Sequence, residues 1–331
     1  MQVVGPFPKR GVMAHARAGG SVLLVTATIA VVGEALIDLA EEGDDEPRLA
    51  HPGGGPYNIA IGLARLGQPA CFVGRISRDP LGIVLRNHAL RSGVDLSLSV
   101  DAAEPTTVAL VELDSAGAAQ YRFGIDGTAN FNWTDAELAC VPDDIAAFHF
   151  GSLASWLPPG DAAIARRVAG LRATGVAISY DPNVRPLLQS DAAAARAQVE
   201  AAVPLAHLVK TSEEDIAWLR PGEPIGTVAA HWLGLGPSAV VVTHGGAGAT
   251  AYTAAGSTTR TAPPVEVVDT VGAGDAFMSG LLDALARDDR LTPAGIAAGS
   301  FDELLDHAAR VAAITCTRAG ANPPRRAELA G

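Results

Sequence analysis

Val268-Asp269-Thr270-Val271-Gly272-Ala273-Gly274-Asp275-Ala276-Phe277-Met278-Ser279-Gly280-Leu281-Leu282 reads as a turn of small residues that opens directly into an apolar helix. Gly272, Ala273 and Gly274 leave their backbone N–H groups uncovered, so an anion can approach them closely. The helix that starts there adds unpaired N–H groups and the positive end of its dipole. Phe277, Leu281 and Leu285 recur every four residues, with Ser279 and Asp283 assigned to other faces, as a packed amphipathic helix requires. Asp275 falls in the first turn, where a carboxylate stays ionised beside whatever the amides bind. An anion cradle touching a fixed carboxylate is what phosphoryl transfer to a hydroxyl needs. A bare Gly-x-Gly-Asp is explained better by ordinary capping than by a ligand. The whole nine-residue string Asp-Thr-x-Gly-Ala-Gly-Asp-Ala-Phe, late in an alternating α/β chain, argues for a ligand.

A second glycine turn, His51-Pro52-Gly53-Gly54-Gly55-Pro56-Tyr57-Asn58, runs into the helical Ile59-Ala60-Ile61-Gly62-Leu63-Ala64-Arg65-Leu66-Gly67. Ile59, Leu63 and Leu66 share one side, and Gly67 is a C-terminal stop. Strand and helix signals alternate from residue 29 onward: strands at Ile29–Gly33, Ala70–Arg75, Ala146–Phe150, Val176–Tyr180, Leu208–Val209 and Ala239–Thr243, with helices between them and from Asp275 and Ser300. Such alternation predicts an α/β fold with a doubly wound, mostly parallel sheet flanked by helices, and ligands at the carboxyl ends of the strands. Thr107–Leu113 and Ala119–Phe123 break the pattern as paired strands around Asp114-Ser115-Ala116-Gly117. They predict a small β-sheet lid.

The 331 residues suffice for a substantial core, and 48% hydrophobic with 18% charged residues describes a globular chain. A formal charge of −12 argues against nucleic acid and anionic membrane as partners. Lys9 and Lys210 are the only lysines and no Gly-Lys-Ser/Thr occurs, which excludes a P-loop kinase. No Gly-x-Gly-x-x-Gly turn follows the first strand, where an NAD-dependent dehydrogenase would carry one. Cys71, Cys140 and Cys316 are far apart, which predicts reduced, buried thiols in a cytoplasmic protein. Residues 1–27 read as an extension: cleavage of a signal peptide there would remove the first core strand. The acidic run Glu41, Glu42, Asp44, Asp45, Glu46 reads as a solvated turn rather than a metal site.

The string at 269–277 resembles the second signature of the ribokinase-like (PfkB) family of carbohydrate kinases. The segment at 53–67 resembles its first signature. The resemblance implies a core of residues 28–38, 52–103 and 127–331, and a lid of residues 39–51 and 104–126. It also implies an ATP-dependent sugar kinase in which Asp275 is the base and Gly272, Ala273 and Gly274 steady the transferred phosphoryl group. Gly33-Glu34-Ala35-Leu36-Ile37-Asp38 is similar to the family's first strand, whose closing aspartate, here Asp38, grips sugar hydroxyls; without that resemblance it is equally a surface aspartate. Gly54 and Asn58 complete the implied sugar pocket, with Asn130 nearby. Tyr57 stands where a small residue is usual and bears on the pocket's shape.

Tyr180-Asp181-Pro182-Asn183-Val184-Arg185-Pro186 resembles fructokinases and 2-keto-3-deoxygluconate kinases, and gives Arg185 two readings: a contact to the acceptor or a phosphate, or a salt bridge with Asp181. Lys210-Thr211-Ser212-Glu213-Glu214-Asp215 resembles the segment that positions magnesium, with Asp215 acting through water. Thr243, Gly245 and Gly248 resemble a nucleotide loop that is also a plain strand-to-turn connection. Thr317-Arg318-Ala319-Gly320-Ala321-Asn322 resembles a loop enclosing adenine, which assigns Asn322 to the nucleotide; this loop and Asp269 leave room for a monovalent cation such as potassium. Tyr121-Arg122-Phe123, Asp126-Gly127-Thr128-Ala129 and His149-Phe150-Gly151-Ser152-Leu153 resemble fructokinase-type members, which implies fructose as the sugar and fructose 6-phosphate as the product. Keto-deoxy acids, ribose and nucleosides are the alternative substrates, and a non-catalytic sugar or nucleotide sensor is the alternative class. The partners are then ATP and a sugar, with a homodimer through the lid, whose exposed sheet edge offers a route.

Overall fold

The computed structural model describes residues 28–40, 49–113, 119–189 and 191–330. The extension 1–27, the acidic run at 41–46 and the turn at 114–117 lie outside the described residues. Among those described, the strands are β1 Ile29–Val32, β2 Leu36–Ala40, β3 Leu49–Gly53, β4 Ala70–Val73, β5 Arg75–Ser77, β6 Val100–Ala102, β7 Thr107–Leu113, β8 Ala119–Gly124, β9 Ala147–Gly151, β10 Ala177–Asp181, β11 Leu208–Ser212, β12 Ala239–Thr243, β13 Ala249–Thr253 and β14 Gly256–Arg260.

Short, wholly apolar runs such as Ile29-Ala30-Val31-Val32 are buried on both faces, which a parallel sheet covered by helices demands. The main sheet has the order β14-β13-β12-β11-β10-β9-β1-β4. It is parallel from β12 to β4 and closes with antiparallel β13 and β14. Ile29 and Val31 face one core, with Phe72, Leu63, Phe277 and Leu281; Ala30 and Val32 face the other, with Phe148, Ile178 and Val240. The strand order reverses at β1, which pairs with β4 on one side and β9 on the other. A crevice opens at the carboxyl ends of the strands beside such a reversal.

The second sheet has the order β3-β2-β7-β8. It differs from the expected boundaries, because Leu36, Ile37 and Asp38 pair with Gly53, Pro52 and His51 inside this small sheet instead of ending the first core strand. The chain leaves the core at Gly33, where a Cβ would lie 2.3 Å from Pro56 Cγ, so only glycine passes. Asn130 fixes the crossover: its Oδ1 accepts from Ala35 N (3.2 Å), and its Nδ2 donates to Ala35 O (2.8 Å) and Thr107 Oγ1 (2.7 Å). It is a pin beside the crossover, bonded to Ala35 between the cavity-lining Glu34 and Leu36, without lining the cavity itself.

The helix Ala273–Arg287 is buried from Asp275 to Leu285, so the other faces that carry Ser279 and Asp283 are buried too. Ser279 meets Gly62 of the helix Gly55–Arg65. Asp283 accepts from Gln68 Nε2 at 2.7 Å, lies 2.8 Å from His307 Nε2 and pairs with Arg326. Cys71 is buried, whereas Cys140 is exposed, against expectation. Among the described residues no helix is long and apolar enough to cross a membrane.

Candidate active site

Gly272 caps the helix Ala273–Arg287 in the left-handed region (φ 76°), with Ala321 packed where a side chain would go, 2.6 Å from its would-be Cβ. Ala273 N–H donates back to Thr270 O at 3.2 Å, so the cradle rests on its neighbours Gly272 and Gly274. Asp275, 9% exposed, follows in the first turn. Its Oδ2 accepts a 2.9 Å hydrogen bond from Asn58 Nδ2, which leaves Oδ1 for another proton donor. Burial pushes the Asp275 carboxyl up to about 7, against the pull of the Asn58 hydrogen bond and the charges of Lys210 and Arg185. Asn58 is itself held by the first turn of its helix, where its N–H donates to Gly54 O at 2.8 Å.

The glycine run lets the small sheet, the helix and the catalytic turn converge. A Cβ on Gly53 would lie 2.3 Å from Asp38 Oδ2, one on Gly54 2.5 Å from Glu34 O, and one on Gly55 3.4 Å from Asp275 Oδ1. Three consecutive glycines thus back onto three residues that carry carboxyl groups. These three side chains, with Asn58, Ser152 and Arg185, line a cavity of about 400 Å³. Burial also pushes Asp38 up to about 6, opposed by the nearby charges of His51 and Arg185.

A second cavity, about 490 Å³, is lined by the polar Lys210, Asp215 and Thr243 with Gly245 and Gly248, and by the apolar Val265, Val267, Phe277, Ala309 and Ala312. Asn183, Arg185, Thr270 and Gly274 line both cavities, which therefore meet at the turn beside Asp275.

Lys210 is the functional residue that the sequence reading passed over. It is buried on β11, and Nζ donates to Asp181 Oδ2 at 2.9 Å. A Cβ on Gly274 would lie 3.0 Å from Nζ, so the ammonium stands against the cradle. Burial alone would lower the Lys210 pKa; Asp181, with Asp275 and Asp215 behind it, outweighs burial and raises it, so the amine is charged. A lysine in the apolar run Leu208–Val209, one of only two in the chain, was the available signal. Because Asp181 pairs with Lys210, the salt bridge suggested between Asp181 and Arg185 does not form. Arg185 Nη1 instead donates within its own loop, to Asn183 Oδ1 at 2.6 Å and Val184 O at 3.0 Å.

Asp215 accepts from Val184 N (3.1 Å) and Ser212 N (3.3 Å) at the start of its helix, and burial together with Asp181 raises its pKa. Asp269 accepts from Val271 N (2.9 Å) and Gly320 N (2.8 Å), tying the catalytic turn to the C-terminal loop. Among the described residues no three His, Cys, Asp or Glu side chains gather to hold a metal. Asn322 Oδ1 accepts from Arg65 Nη1 at 2.6 Å, and it lines neither cavity, unlike the role assigned to it. Tyr57 also departs from expectation. Its hydroxyl donates to Leu85 O at 2.8 Å on the far side of the helix, leaving the pocket to its neighbours.

Residues 26–328 match the pfkB family of carbohydrate kinases. A fructokinase of Rhizobium leguminosarum bv. trifolii is 36% identical over 274 residues, covering 82% of this chain and 83% of that protein. The crystal structure of a Xylella fastidiosa fructokinase with bound ATP superposes with a TM-score of 0.84 at 27% identity, over 92% of this chain and 98% of that one. A Vibrio cholerae O395 fructokinase in fructose, ADP and calcium ion bound form superposes with a TM-score of 0.79, also at 27% identity and over the same shares. Two cavities meeting at a carboxylate beside a glycine turn, and a match over nearly the whole described chain, lead to one assignment: the protein belongs to the pfkB family of carbohydrate kinases.

Proposed function

We propose that the protein is an ATP-dependent fructokinase that transfers the γ-phosphoryl group of ATP to the primary hydroxyl of fructose and releases fructose 6-phosphate and ADP. The observation that carries this is the junction of the two cavities at Gly274 and Asp275. The carboxylate-rich cavity suits a polyol, because each ionised carboxylate accepts hydrogen bonds from neighbouring hydroxyls. The other suits a nucleotide, with apolar walls for a base and Lys210, Thr243, Gly245 and Gly248 toward the phosphates.

Asp275 Oδ1 takes the proton of the attacking hydroxyl while the phosphoryl group passes through a loose transition state, so a base with a pKa near 7 is strong enough. The amides of Gly272 and Gly274 and the Lys210 ammonium stabilise the charge on the phosphoryl oxygens. Arg185, lining both cavities, stands between acceptor and donor. Asp215 suits magnesium held through water and the nucleotide's own phosphates, an arrangement that this ion favours because it gives up water reluctantly. When bound, magnesium neutralises charge on the phosphates. Asp269 is the candidate for a monovalent cation such as potassium. Closure of the small sheet over the sugar limits hydrolysis of ATP. The outer strands β3 and β8 are the edges through which a homodimer would pair. An ATP-consuming enzyme with unpaired cysteines fits the cytoplasm.

Three carboxyl groups against the one guanidinium of Arg185 oppose an anionic acceptor, which favours a neutral sugar over a keto-deoxy acid. A sensor is disfavoured because Asp275 lines the cavity instead of turning into the core. The test is ADP release with ATP and a panel of fructose, ribose, 2-keto-3-deoxygluconate and nucleosides, with the product identified by phosphorus NMR. Fructose 6-phosphate as the preferred product supports the proposal; preference for another acceptor overturns the choice of sugar.

A further inference from the structure

We propose that Glu34 is a specificity-determining residue of the acceptor cavity, which hydrogen-bonds a ring hydroxyl other than the one phosphorylated and so selects one ketohexose epimer over the others. This rests on the reading of that cavity as the sugar site. Glu34 follows β1, where the strand order reverses, and is 1% exposed while lining the cavity. Its Oε2 accepts from Ala154 N at 3.2 Å, in the short turn Leu153–Ser155. The Ser152 hydroxyl also bonds this carboxylate, and the Arg185 charge acts on it from farther along the wall; a carboxylate has about four accepting sites, so these neutral donors leave capacity for a ligand hydroxyl.

The wall beside it is strained. Ser152 (φ 53°) and Asn183 (φ 42°) both hold left-handed backbones without being glycine, and both line the same cavity. Asn183 Nδ2 lies 3.4 Å from Ser152 Oγ, which continues the polar ridge from Glu34 toward Arg185. Strained positions persist where surrounding structure holds them, and they gather at ligand sites. The glycine run sets the surroundings, with Gly55 against the Asp275 carboxylate, Gly53 against the Asp38 carboxylate and Gly54 against the main-chain carbonyl of Glu34, whose side chain lines the same cavity. With Asp275 at the transferred hydroxyl, Glu34 and Asp38 are left for hydroxyls elsewhere on the ring. Burial raises the pKa of Glu34.

The test compares wild type with Glu34→Gln and Glu34→Asp, measuring kcat/KM for fructose, psicose, sorbose and tagatose, KM for ATP, and Tm. The expected result is a fall of roughly tenfold or more for fructose and a much smaller fall for at least one epimer, because a site built to bond a hydroxyl discriminates by that bond. KM for ATP stays within about twofold of wild type, which a general loss of structure would not allow. An equal fall for all four sugars in both variants overturns the proposal and reduces Glu34 to a cap for Ala154. Should Glu34→Gln not fold, Glu34→Asp, which keeps the charge and shortens the reach, decides alone by the same ratio. Wild type inert toward every sugar overturns the reading of the cavity together with the proposal, whereas active wild type with a uniform loss overturns the role of Glu34 only.

Discussion

Asn58 Nδ2 donates a 2.9 Å hydrogen bond to Asp275 Oδ2 across a separation of 217 residues, joining the first glycine turn of the chain to the last. The bond fixes which carboxylate oxygen faces the acceptor and favours the ionised form of the base against the effect of burial. Asn58→Ala removes a charge-assisted hydrogen bond of about 1.5–3 kcal/mol, which corresponds to a rise of roughly one to two pH units in the base. The expected outcome is a kcat/KM acid limb displaced upward by that amount, measured by pH–rate profiles of the two proteins.

Burial raises Asp275 to about 7, so wild-type kcat/KM should rise with pH between about 5 and 8, through one ionisation near 7. The same shift has a cost in stability. A carboxyl whose folded pKa lies above its unfolded 3.8 stabilises the fold below about pH 4, and that contribution is lost as pH rises through 7. Asp275→Asn, which cannot ionise, should therefore be more stable than wild type at pH 8, by up to about 4 kcal/mol. The two should converge near pH 4. Urea unfolding at both pH values checks this.

Lys210→Met strands the buried Asp181 carboxylate and should cost about 3–5 kcal/mol of stability. The double variant Lys210→Met with Asp181→Leu removes both charges and should recover most of it. Turnover should stay low in both, because the cation at the cradle is gone. Unfolding midpoints and kcat measured on the same preparations separate the two effects.

Two glycines of one turn should fail differently. At Gly274 an added Cβ meets only the movable end of Lys210, at 3.0 Å, so Gly274→Ala should fold normally and lose about tenfold or more in kcat as the cradle fills. At Gly272 the backbone is left-handed and Ala321 stands 2.6 Å from the added atom, so Gly272→Ala should lose stability, by more than about 1 kcal/mol. Thermal unfolding alongside kcat distinguishes them.

The parallel core was legible because buried strands such as Ile29–Val32 and Ala239–Thr243 are continuous apolar runs between glycine turns. The candidate site was legible where backbone geometry demands particular residues: glycine at 53–55, 272 and 274, and a carboxylate in the first turn at 275. What stayed hidden depended on long-range partners. Nothing local to Lys210 names Asp181, and nothing local to Asn322 names Arg65, yet those bonds place one at the cradle and the other away from it. The burial of Asp283 was not legible because its partners Gln68, His307 and Arg326 come from three other segments. Asp38 was placed on the first core strand but pairs within the small sheet, since periodicity does not reveal that the chain leaves the core at Gly33.

Asp275→Asn keeps the size of the base and its packing against Asn58 while removing proton uptake, so its turnover with ATP and fructose tests the central claim most directly. With ATP and fructose affinities near wild type by calorimetry, kcat should fall by about two to four powers of ten. Turnover within a few-fold of wild type would contradict a base at 275 and, with it, the chemistry assigned to the junction of the two cavities.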